Sequence, residues 1–175
     1  MLGIIIKLIS ISFCGLYTLI KISQNKILSP ISRINTLFIL VFLSIASIAL
    51  NIFFKELTYF IPMISFWIII SYISHQPQQS FIMVTISYTL SIASYGVTSF
   101  LSVLVLHILF HTLHTFPYTQ LAIIASTLQF VIIYFICKNK RLKRGMPFLS
   151  QKTLLNFATI LCLFLSANLI YFFDN

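Results

Sequence analysis

Six apolar stretches, most of them about twenty residues or longer, leave this chain little with which to face water: roughly 2–21, 34–54, 57–74, 80–112, 117–137 and 153–173. About 20 apolar residues suffice to cross the hydrocarbon core of a bilayer as a helix. Only 7% of the 175 residues are charged, while 59% are hydrophobic. A soluble domain of this size needs a charged surface to stay in solution, so lipid is the expected solvent for most of the chain. The expected fold is all-α: one polytopic membrane domain over 1–175, a bundle of about six transmembrane helices. The gaps between spans are too short for a soluble domain. Lys7 lies inside the first span rather than ahead of it, and no small-residue cleavage site follows, which reads as an uncleaved helix and not a signal peptide. Pro30, Pro62, Pro77, Pro117 and Pro147 mostly mark helix starts or loops, where a missing N–H costs little.

The fourth span is too long. Its 33 residues would reach about 50 Å as a helix, against a hydrocarbon core of about 30 Å. Two readings stay open. It breaks within Ser91–Ser99, where Gly96 stands among small polar residues, or it continues as one helix whose end stands out of the membrane.

Charge gives the expected orientation. The stretch CKNKRLKRGMPFLSQK, Cys137 to Lys152, holds Lys138, Lys140, Arg141, Lys143, Arg144 and Lys152 and no acid. The first loop adds Lys21, Lys26 and Arg33. With six spans, the odd-numbered loops share a side and carry nine of the eleven basic residues. The other side has Lys7 and Lys55 with the two acids, Glu56 and Asp174. Short cytoplasmic loops are rich in Lys and Arg, so the basic patch is expected inside the cell, against anionic lipid, and both termini outside. The net charge of +9 does not point to nucleic acid, because the basic residues sit in short stretches between apolar spans.

Little in the sequence carries chemistry. Two acids, Glu56 and Asp174, far apart in the sequence, exclude catalysis by paired carboxylates in practice. Gly3, Gly15, Gly96 and Gly145 are scattered and form no phosphate-binding loop, and no cofactor is implied. Cys14, Cys137 and Cys162 are far apart in or beside apolar runs and read as small buried hydrophobes, with neither a disulfide framework nor zinc spacing. His75 and Cys137 fall on the same expected side, the one pairing on which an intramembrane cysteine peptidase could be built, with nothing local beyond sidedness to support it. His107, His111 and His114 share one helical face at the outer end of the fourth span. Three imidazoles there could bind a transition metal or titrate with external pH; an ordinary interfacial role is the simpler reading. Ser87, Ser91, Ser94, Thr98 and Ser102 form a hydroxyl seam along the fourth span, and Ser44, Ser47 and Asn51 another along the second. Such seams let helices approach and hydrogen-bond. Alternatively they line a polar cavity for a small molecule or peptide, for which Asn51, Gln129 and Asn168 are the candidate lining groups.

The basic stretch with its Gly145–Leu149 tail, followed by a last apolar span, resembles the membrane domain of GHKL-type sensor histidine kinases, the peptide-responsive, quorum-sensing kinases of the accessory-gene-regulator kind found in Gram-positive bacteria. KLISISFCGLYTLIKI, Lys7 to Ile22, fits the same pattern. The resemblance implies a ligand-receiving membrane domain, a homodimer, and a signal passed to a cytoplasmic dimerisation helix and ATP-binding domain. Up to Asn175 there is no phosphoacceptor histidine region and no ATP-binding domain, so kinase activity does not carry over to this chain. The expectation is a fragment whose full protein continues through a seventh helix into a cytoplasmic module. The alternative expectation is a small membrane transport component or scaffold subunit.

Overall fold

A computed structural model describes residues 2–22, 60–110, 117–139 and 151–174, together with Phe38, Phe42 and Ile45. Every described element is an α-helix: α1 (Leu2–Ile22), α2 (Phe60–Ser74), α3 (Pro77–Phe110), α4 (Tyr118–Lys138) and α5 (Lys152–Asp174). Helices are what an apolar solvent demands, because each backbone N–H and C=O must find its partner inside its own segment. That requirement overrides the β-propensity of an isoleucine-rich segment such as IIIKLISI in α1. Among the described residues three helices are long and apolar enough to cross a membrane: α1, α3 and α4. Shorter apolar helical segments, Met63–Tyr72 and Lys152–Leu165, belong to α2 and α5. The second expected span, 34–54, lies outside the described residues except for Phe38, Phe42 and Ile45, which are helical and exposed.

Helix ends fall where local chemistry puts them. Pro77 opens α3, where it has no intrahelical N–H to lose. The Ser80 N–H and Oγ both donate to the Gln76 carbonyl, at 3.0 and 2.8 Å. Pro117 precedes α4 in extended geometry, and Asn139 ends it, its N–H donating to the Ile136 carbonyl at 3.1 Å. Between α2 and α3 the chain reverses within two residues. His75 takes a left-handed φ of 54° and donates its N–H to the Ser71 carbonyl, capping α2. The Trp67 indole N–H reaches across to the Pro77 carbonyl at 3.0 Å and braces the turn.

The long fourth span resolves in favour of one helix. α3 runs unbroken for 34 residues through Gly96, about 51 Å of rise. Gly96 is exposed, and a methyl group added there would meet nothing within 4 Å. An isolated glycine without an inserted side chain or proline does not by itself kink a helix.

The core is built on α3. α1 and α4 lie parallel, pairing Gly3 with Tyr118, Ser10 with Gln129 and Phe13 with Phe130. α3 runs antiparallel to α1, pairing Gly15 with Tyr88, Ile11 with Ser91 and Lys7 with Tyr95. The α2–α3 hairpin is closed by edge-on aromatic contacts, Phe66 on Tyr88 and Trp67 on Phe81. α5 packs against α3. Close approach of α1 to its neighbours depends on its glycines: a Cβ at Gly3 would come within 2.5 Å of the Tyr118 ring, and one at Gly15 within 3.2 Å of the Tyr88 ring. In this register α3 continues past the start of α1 and α4 by about eleven residues, roughly 16 Å.

The exterior is apolar. Phe100 is 66% exposed, Ile108 70% and Phe164 69%. A continuous apolar surface of this kind fits lipid rather than water.

Candidate functional site

Polar side chains inside this bundle converge on one residue. Gln129 of α4 is fully buried. Its Oε1 accepts from Ser10 Oγ of α1 at 2.6 Å. Its Nε2 donates to the Ser91 carbonyl of α3 at 2.9 Å and reaches Ser91 Oγ and Ser94 Oγ at 3.2 Å each. Ser91 Oγ in turn donates to the Ile11 carbonyl of α1 at 2.6 Å. One amide thus joins three helices, and both of its polar atoms are engaged.

The local sequence explains the placement. Ser91 and Ser94 belong to the seam on α3, all five members of which are buried. Away from the node the seam satisfies itself. Ser87 donates to the Met83 carbonyl, Thr98 to Tyr95 and Ser102 to Thr98. These are bonds within one helix, so the seam's main contribution is a narrow surface against which α1 and α4 pack. Ser126, one turn from Gln129, is buried with its hydroxyl unbonded.

Other features border the node. On α1, Lys7, Ser10 and Cys14 recur at helical spacing on one face. Lys7 is half-buried, its Nζ 5.7 Å from the centre of the Tyr95 ring. Toward the other end of α1, Lys21 Nζ sits 5.4 Å over Tyr17. Ring faces attract both ammonium groups. The spacing of three and four is the sequence signal that could have singled out Ser10, but nothing in the sequence shows that it meets Gln129.

The remaining candidate residues lie partly outside the described residues. His107 is exposed on the overhang of α3, whereas His111 and His114 lie outside the described residues. Among the described residues no group of three or more His, Cys, Asp or Glu is placed to hold a metal. Lys138 and Lys152 are exposed at the end of α4 and the start of α5; Lys140, Arg141, Lys143 and Arg144 lie outside the described residues. So do Ser44, Ser47 and Asn51, and the side chain of Asn168. His75 is exposed on the α2–α3 turn, while Cys137 is buried against Cys14 and Ile133 at the α1–α4 contact. All three cysteines are buried, and none is in a disulfide.

Comparison with family models, curated proteins and solved structures gives no match.

Chemically, the node contains no ionisable group. It can fix helix register and release it, and it supplies neither a nucleophile nor a base. Hydrogen bonds between membrane helices average about 0.6 kcal/mol, and a buried polar group left unpaired costs about 1–3 kcal/mol. Gln129→Leu should therefore lower unfolding stability in mixed micelles by about 1–2 kcal/mol, since the serines can turn back to their own helix carbonyls. The exposed Thr127→Val, whose hydroxyl bonds only within α4, should change it by less than about 0.5 kcal/mol. Equal effects of the two substitutions would contradict the node's role.

Proposed function

We propose that this chain is the membrane-embedded, ligand-receiving domain of a bacterial signal-transduction histidine kinase, acting as a six-span bundle. Its odd-numbered loops face the cytoplasm, and its two ends, as given, face outward. The observation that carries the reading is the joint placement of the polar node and the long α3. α3 leaves the α2 turn, passes through the node at Ser91 and Ser94, and extends beyond α1 and α4. A ligand held against the overhang would bias α3, and the node gives α3 a discrete position relative to α1 and α4 from which to be displaced. The basic stretch that resembles peptide-responsive sensor kinases supports the same reading.

Sidedness is tested by labelling. Cysteine introduced at the exposed Asn139 in a cysteine-free background should resist an impermeant maleimide in intact cells and react after permeabilisation. Ready labelling in intact cells would reverse the orientation.

Function is tested in the native host. Deleting the gene should abolish a transcriptional response to conditioned medium, and Gln129→Leu should shift the dose at which the restored response appears. An unaltered response in the deletion strain, with loss of uptake of a solute, would replace the receiver by the transport reading.

A further inference from the structure

Cys14 and Cys137 lie more than a hundred residues apart in sequence, yet the fold packs them into one sealed cluster with Ile133 between α1 and α4. Both are free; Cys14 is fully buried and Cys137 is 2% exposed. Beside the pair, the Ser10 hydroxyl donates to Gln129 Oε1 and the Thr18 hydroxyl to the Cys14 carbonyl.

A cation is close by. Tyr17 packs against the cysteine cluster and carries Lys21 over its ring. Cys137 also sits one residue inside the exposed Lys138, at the end of α4. The pair is therefore buried, has an aqueous end within one helical turn, and has a positive charge nearby.

From this we propose a two-thiolate site for a soft monovalent d10 cation of the copper(I) class. Thiolates select soft ions. Among the described residues no third His, Cys, Asp or Glu joins the pair, which suits an ion content with two ligands in line and not tetrahedral zinc. Uptake balances without any change of oxidation state. One cation enters, each thiol releases its proton to solvent, and two metal–sulfur bonds form. The resulting bis-thiolate carries one negative charge, which the Lys21 ammonium offsets. Neutralisation of that kind is what a metal centre in an apolar bundle requires.

The test uses the full chain in detergent, reduced and anaerobic, competing with a chromophoric copper(I) chelator. Wild type and Cys162→Ala should each withdraw one equivalent of copper(I). Cys14→Ala and Cys137→Ala should withdraw none, and Lys21→Gln should bind roughly tenfold more weakly. Circular dichroism of each variant checks that the helices persist. A second arm needs no variant: in mild denaturant, where slow opening exposes all three buried thiols of the ion-free chain to a permeant maleimide, the bound ion should slow alkylation of Cys14 and Cys137 and leave the rate at Cys162 unchanged. Failure of wild type to compete, copper retained by either single variant, or alkylation of the pair unchanged by the ion would each overturn the site. None of these readouts depends on the receiver function.

Discussion

An amide in a lipid-bathed interior has no water to fall back on, and the architecture of this bundle turns on that constraint at Gln129. Apolar surfaces alone hold membrane helices loosely in register, because a leucine or isoleucine face meets lipid tails about as well as it meets another helix. Gln129 removes that freedom. Its oxygen needs a donor and its nitrogen needs acceptors, and Ser10, Ser91 and Ser94 supply them from two other helices. A slide of one turn in α1 or α3 would strand the amide. The individual bonds are modest, about 0.6 kcal/mol on average, so the node contributes more to which packing is adopted than to how strongly it is held.

Packing around the node follows from side-chain size. Gly3 and Gly15 let α1 come close to Tyr118 and Tyr88, and the α3 hydroxyl seam presents a narrow surface to both neighbours. α2 and α5 are attached differently. α2 is fixed to α3 by the short turn at His75 and by two aromatic contacts, and α5 lies along α3 with Cys162 buried and Phe157, Ile160 and Phe164 facing outward. Among the described helices α3 is the shared axis. A displacement of α3 would therefore be felt by each of the other four.

Much of this was legible in the sequence, and the limits have physical causes. Five of the six apolar runs coincide with described helices to within a few residues, although the helix of the fourth begins at Pro77, three residues ahead of the expected start at 80. The α3 seam was visible because a single helix fixes the phase of its own residues. Sequence carries no phase between helices, so the partnership of Gln129 with Ser10 and the meeting of Cys14 with Cys137 could not be read from spacing. Gly96 was ambiguous for a different reason: a glycine among serines suits either a break or a smooth helix, and only the absence of anything wedged against it distinguishes them. Of the histidine face that spacing assembled, His107 is exposed, and His111 and His114 lie outside the described residues.

The register of the bundle depends on an α1–α4 bond that is energetically real and not a coincidence of packing. A double-mutant cycle on Ser10→Ala and Gln129→Leu in mixed micelles measures it directly. Coupling of about 0.5–1.5 kcal/mol is the expected result for a buried, well-aligned hydrogen bond. Additivity of the two substitutions to within about 0.3 kcal/mol would mean that Ser10 and Gln129 do not depend on each other, and the node would lose its place as the element that sets the register of the bundle.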